Sequence, residues 1–82
     1  MRGLSRISKK EAAILETQIA AMGETFQARR KELGMTQDEL SEKLDIGANT
    51  IKFIEQGRRI PSLPMFLRIC KALKLKIELN KM

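Results

Sequence analysis

Histidine, tryptophan and tyrosine are missing from this 82-residue chain, and cysteine occurs once, as Cys70. Without histidine there is no His-based triad and no Cys/His metal site. A lone cysteine cannot close an intramolecular disulfide, which favours a reducing, cytoplasmic setting. Long hydrophobic runs are missing too. A run such as Ala12 to Leu15, which no other exceeds, is far short of a membrane span. Met1 to Lys10 has no apolar core, so no secretory signal peptide is expected. Neither a P-loop nor a dinucleotide fingerprint occurs. These absences leave few candidates for enzyme chemistry. The chain reads as a non-enzyme, with no cofactor and no metal expected.

What is present is a strong basic balance. The formal net charge is +6, which points to a polyanionic partner, either nucleic acid or an anionic membrane. The membrane reading is disfavoured, because glutamates stand on the polar faces of the helical segments and there is no aromatic belt. The length allows one domain. A domain this small buries only about 60% of its unfolded surface, so oligomerisation is a natural source of extra stability.

Met1 to Ile7 carries Arg2 and Arg6 without periodicity and reads as a basic arm. Ser8-Lys9-Lys10-Glu11 fits a capping box, and Ala12 to Leu33 is helical by composition, with Gly23 either breaking or weakening it and Gly34 ending it. Thr36-Gln37-Asp38-Glu39 is a second capping box that starts a helix over Gln37–Leu44. Asp45-Ile46-Gly47 reads as a tight turn, and a further helix runs over Ala48–Gln56 until Gly57. Ser62 reads as the next N-cap, and Leu63, Phe66, Leu67, Ile69, Cys70 and Leu73 give a broad apolar face. From Lys74 to Asn80 the pattern alternates at every step, which predicts a half-buried strand over Lys74 to Lys81.

Two short helices separated by a three-residue turn are what a helix-turn-helix requires. In such a motif the first helix braces on the DNA backbone and the second enters the major groove. Small Ser41 suits the close helix crossing. With Ile51 and Ile54 inward, Ala48, Asn49, Lys52 and Phe53 point outward, beside Thr50. Asn49 can pair bidentately with adenine, and Phe53 can pack on a thymine methyl.

At these residues the sequence resembles the lambda-repressor-like, or Xre, helix-turn-helix family. The resemblance covers Met22 to about Leu75. It rests on Gly23, Arg30, the run Gly34-Met35-Thr36-Gln37-Asp38-Glu39-Leu40, Ile51, Glu55, Gly57, Pro61-Ser62-Leu63 and Lys71-Ala72-Leu73. Two positions depart from the pattern. Asp45 stands where glycine is usual in the turn, and Gly47 stands where serine or threonine usually opens the recognition helix.

The resemblance implies an all-α bundle containing the helix-turn-helix, to which the sequence adds an extra N-terminal helix and a short C-terminal β-strand. The expected organisation is an arm and extra helix over 1–21, the helix-turn-helix domain over 22–73 and a dimerising strand over 74–82. By the same resemblance Gln37, Arg58 and Arg59 meet phosphates. Ala48, Asn49, Thr50, Lys52 and Phe53 occupy the base-facing helix, and Arg30 pairs with Glu55. Between Thr36 and Gly57 the net charge is −3, whereas Arg58 to Met82 is +6. Affinity for phosphate is therefore expected from residues flanking the motif.

The implied function is sequence-specific binding of double-stranded DNA by a homodimer on a palindromic operator. The tail, with Leu75, Ile77 and Leu79 on one side, is similar to the end of HipB-like antitoxins. There it pairs across the dimer, and the protein represses its own toxin–antitoxin operon. A prophage-type repressor and a restriction–modification controller are the alternatives. A reading from another class is an interaction protein that neutralises a toxin through its N-terminal helix.

Overall fold

The computed structural model describes residues 7–81, which form four helices: α1 (Lys9–Glu32), α2 (Gln37–Leu44), α3 (Ala48–Glu55) and α4 (Leu63–Ala72). The expected basic arm lies, up to Arg6, outside the described residues.

Three helices begin where a hydroxyl can satisfy an amide that has no intrahelical partner. Ser8 Oγ accepts from the Glu11 amide at 3.1 Å, Thr36 Oγ1 from Glu39 at 3.0 Å and Ser62 Oγ from Met65 at 3.3 Å. At Thr36 the box closes in both directions, its own amide donating to Glu39 Oε1 at 3.0 Å. Gly47 opens α3 with extended backbone and no side-chain cap.

All four helices end alike. At each end one amide bonds back five residues, and the amide before it bonds back three. The pairs are Met35 to Arg30 with Gly34 to Lys31, Ile46 to Ser41 with Asp45 to Glu42, Arg58 to Phe53 with Gly57 to Ile54, and Leu75 to Cys70 with Lys74 to Lys71. The pivot is left-handed each time, at Gly34, Asp45, Gly57 and Lys74. This is the Schellman ending, which satisfies carbonyls a helix would otherwise leave bare. Asp45 carries it at φ 54° in the turn between α2 and α3, since aspartate tolerates this conformation better than most residues.

The fourth ending overturns the C-terminal strand expected from the alternation. Among the described residues there is no strand, and Leu75 to Lys81 has no regular secondary structure. Lys74 and Leu75, the first two alternating residues, are spent on closing α4. Lys74 is the left-handed pivot and Leu75 packs on the core, the apolar contact that such an ending favours. Ile77 is left exposed, and Leu79 is 96% exposed. A strand also needs a ladder partner, which no other described segment supplies.

Helix α1 is continuous over 24 residues, with Gly23 inside it. Packing explains this glycine. A Cβ there would stand 2.7 Å from the Glu55 carbonyl oxygen and closer still to that of Ile54. Helix α1 therefore crosses the last turn of α3 backbone on backbone. Its buried residues Gly23, Phe26 and Arg30 follow at three and four positions, one face of a helix. Before Met22 the helix has no buried residue, and Ile14 is exposed.

The core gathers Phe26, Leu40, Leu44, Ile51, Ile54, Ile69, Cys70, Ala72 and Leu73. Phe26 and Phe66 stack at a tilt, with ring centroids 5.9 Å apart. Burial pushes the Cys70 thiol up, as expected of a structural cysteine. Leu63 and Leu67, read from sequence as part of the apolar face, are 68% and 47% exposed instead. Arginines fasten two helix ends to their neighbours: Arg29 Nε donates to the Leu73 carbonyl at 3.0 Å, and Arg68 donates to that of Leu44.

In an open helix interior, Gly→Ala stabilises by about 1 kcal/mol. At Gly23 the added methyl must push two backbones apart. Gly23→Ala should therefore cost about 1 to 3 kcal/mol, seen as a lower urea or thermal midpoint. A raised midpoint would mean that α1 and α3 do not meet at this glycine.

Candidate nucleic-acid interface

Helices α2 and α3 meet across the Asp45–Gly47 turn. Ser41 is buried at their crossing, and its hydroxyl donates to the Gln37 carbonyl at 2.8 Å. The small side chain permits the close approach, and the bond leaves no buried polar group unpaired. On α3, Ile51, Ile54 and Glu55 face the core. Ala48, Asn49 and Lys52 are exposed, and Thr50 and Phe53 are half-buried. Gln56, one turn beyond Lys52, is exposed on the same side and was not among the residues read from sequence.

The orientation of α3 is set by one buried carboxylate. Glu55 accepts from Arg30 Nε at 2.8 Å and Arg30 Nη2 at 3.0 Å, a two-toothed pair joining α1 to α3. Arg30 Nη1 donates to the Met35 carbonyl at 2.8 Å, tying in the α1–α2 loop. Hydrogen bonding to Glu55 raises the Arg30 pKa, burial opposes this, and the charge of Glu55 adds to it. Gln37 joins the cluster, its Nε2 donating to Glu55 Oε1 at 3.0 Å. Sequence reasoning missed this bond. Gln37 and Glu55 are 18 positions apart, so no local pattern connects them.

The loop after α3 folds back onto it. The Arg58 guanidinium lies over the Phe53 ring, 4.9 Å from its centroid. Arg59 Nη1 stands 3.3 Å from Thr50 Oγ1 as its donor. Arg58 and Arg59 are thus drawn back against α3, while Gln37 is tied to Glu55 in its last turn. Leu75 and Ile77 stand apart, lining a groove with Met22, Phe26, Phe66 and Cys70 between α1 and α4. Among the described residues no cluster of three potential ligands could hold a metal ion, and no helix is long and apolar enough to cross a membrane.

The helix-turn-helix family HTH_3 matches residues 26–80. The chain belongs to this Xre-type helix-turn-helix family. It is similar to an uncharacterized HTH-type transcriptional regulator of Methanothermobacter thermautotrophicus, with 50% identity over 44 residues, 54% of this chain and 64% of the relative. It is also similar to the uncharacterized HTH-type transcriptional regulator YgzD of Bacillus subtilis, with 39% identity over 49 residues, 60% of this chain and 74% of the relative. A further regulator of that description, from Archaeoglobus fulgidus, is 39% identical over 49 residues, 60% of this chain and 70% of the relative. The match with the Methanothermobacter protein spans less than two thirds of that protein's length. The N-terminal half of α1 precedes the residues that the helix-turn-helix family matches.

Removing Glu55 from this helix-turn-helix leaves Arg30 buried and charged without its partner. Glu55→Ala should cost about 3 to 5 kcal/mol, the usual penalty for stranding one half of a buried pair. Chemical denaturation reads this directly. A midpoint equal to the wild-type value would mean that the pair contributes no constraint in solution.

Proposed function

We propose that this protein is a sequence-specific DNA-binding regulator of transcription that acts as a dimer on a palindromic duplex. The observation carrying the reading is α3 itself. Its apolar side, Ile51 and Ile54, is anchored in the core, its end is locked by Glu55, and Ala48, Asn49 and Lys52 are left outward. Membership of the helix-turn-helix family and the names of its relatives support the same reading.

The roles divide by chemistry. Asn49 offers a donor and an acceptor from one amide, the pattern that matches the major-groove edge of adenine. Lys52, one turn on, reaches base or phosphate. Gln37 stands at the start of the bracing helix, with Arg58 and Arg59 in the loop, where phosphates pass. Two copies suit a twofold operator, since half-sites about 34 Å apart present successive major grooves to two recognition helices. The exposed Ile77 and Leu79 are apolar surface for a second copy to cover.

The finer reading is an autorepressor that also neutralises a toxin. It draws on the N-terminal half of α1, where Ile14 is exposed. Co-purification with the product of the neighbouring gene tests it.

The DNA reading is tested by titrating the region upstream of the protein's own gene against random duplex. A dimer neutralising about 6 to 10 phosphates should lose about 10³- to 10⁵-fold in affinity between roughly 50 and 200 mM salt. Asn49→Ala should cost about 1 to 3 kcal/mol and relax preference at one base pair per half-site. Arg58→Ala should weaken all sequences alike and flatten the salt dependence. Equal affinity of the wild type for both duplexes would sink the regulator reading.

A further inference from the structure

Phe53 points away from the core, yet it is half-buried. It belongs neither to the buried cluster nor to the apolar side chains packed against that cluster. What covers it is the Arg58 guanidinium, 4.9 Å from the ring centroid and within the range of a cation–π contact. The two residues are also fastened through their backbones. The Arg58 amide donates to the Phe53 carbonyl at 2.8 Å, closing α3 after the left-handed Gly57. This ending turns the chain back so that residue 58 meets the side chain five positions earlier.

We propose that Phe53 is a positioning residue: its ring holds Arg58 against the recognition helix, so that Arg58 meets the DNA backbone as a preformed contact, and Phe53 itself reads no base. The proposal rests on the DNA-binding reading above. An arginine in an open loop must give up rotamer freedom when it binds phosphate. Arg58 has surrendered part of that freedom in the free protein, while remaining exposed. Its charge is also unspent. The ion pairs among the described residues are Arg29–Glu32, Arg30–Glu55 and Lys76–Glu78, and none includes Arg58 or Arg59. Arg59 is held separately by Thr50, three positions before Phe53 on α3. Two free cations are thereby fixed along a motif whose own residues, Thr36 to Gly57, sum to a negative charge. A ring whose exposed face already carries a guanidinium is poorly placed to receive a thymine methyl.

The test is a double-mutant cycle on the full chain. It is read with the duplex that the wild type selects from a random library and with an unselected duplex. Phe53→Leu should weaken both duplexes about 2- to 5-fold, the worth of an exposed cation–π contact. Phe53→Tyr, which keeps the ring, should restore both. In the Arg58→Ala background, Phe53→Leu should change neither. A loss that persists at full size in that background returns Phe53 to base reading and overturns the proposal. So does a loss confined to the selected duplex with preference relaxed at one base pair. A second readout needs no DNA. In the free protein the Arg58 side-chain protons should resonate upfield of those of the other arginines, and Phe53→Leu should remove the shift. Arg58 protons at ordinary positions overturn the proposal as well. A wild type that selects no duplex defeats the DNA-binding reading, while the resonance shift still decides whether Phe53 holds Arg58.

Discussion

Glu55 is the point on which three helices depend. Its buried carboxylate receives N–H groups from Arg30 on α1 and Gln37 on α2 while belonging to the last turn of α3. A buried ion pair adds little net stability, because the desolvation of two charges offsets most of their attraction. Its effect here is geometric. Each of the three helices presents a donor or an acceptor at one place, and a rotation of α3 about its axis breaks several bonds together. Gly23 makes the cluster reachable. By letting α1 lie directly on the end of α3, it brings Arg30, two turns later on the same face, within bonding distance of the carboxylate.

The electrostatics follow from this arrangement. The motif is acidic, and the buried cation that reaches it from α1, Arg30, is committed to Glu55. The two short helices carry only Lys43 and Lys52, so most positive charge for a polyanion must come from outside them. The chain supplies it through a loop that folds back, with Arg58 on Phe53 and Arg59 on Thr50. A basic patch is thus assembled from residues that follow α3 in sequence and return to it in space.

What could be read in advance was what local chemistry decides. Thr36 and Glu39 announce a helix start at a spacing of three, and Asp45 is one of the few side chains that can stand in for glycine in a left-handed turn. Arg30 and Glu55 were readable as partners only by family resemblance, because 25 positions separate them. The same distance problem hid the bond from Gln37. The covering of Phe53 was hidden although Arg58 is only five positions on, because it depends on how the chain turns back at the left-handed Gly57. The tail misled for a different reason. Alternation measures which residues would share a face if the chain were extended. Lys74 and Leu75 are claimed first by the closing of α4, and nothing described lies alongside to make a ladder. Leu63 and Leu67 misled as well, because an apolar residue on a helix says nothing of how far round the core extends.

The unbroken course of α1 has a mechanical side. At 1.5 Å per residue, Lys9 stands about 21 Å from Gly23 along the axis. No proline interrupts that length, so it offers no sharp kink point of the usual kind. The helix is therefore a lever arm whose fulcrum is the contact of Gly23 with the carbonyls of Ile54 and Glu55. At that contact there is no side chain to yield. A push on the far end near Ile14 would therefore bear on the last turn of α3 and on the carboxylate it carries.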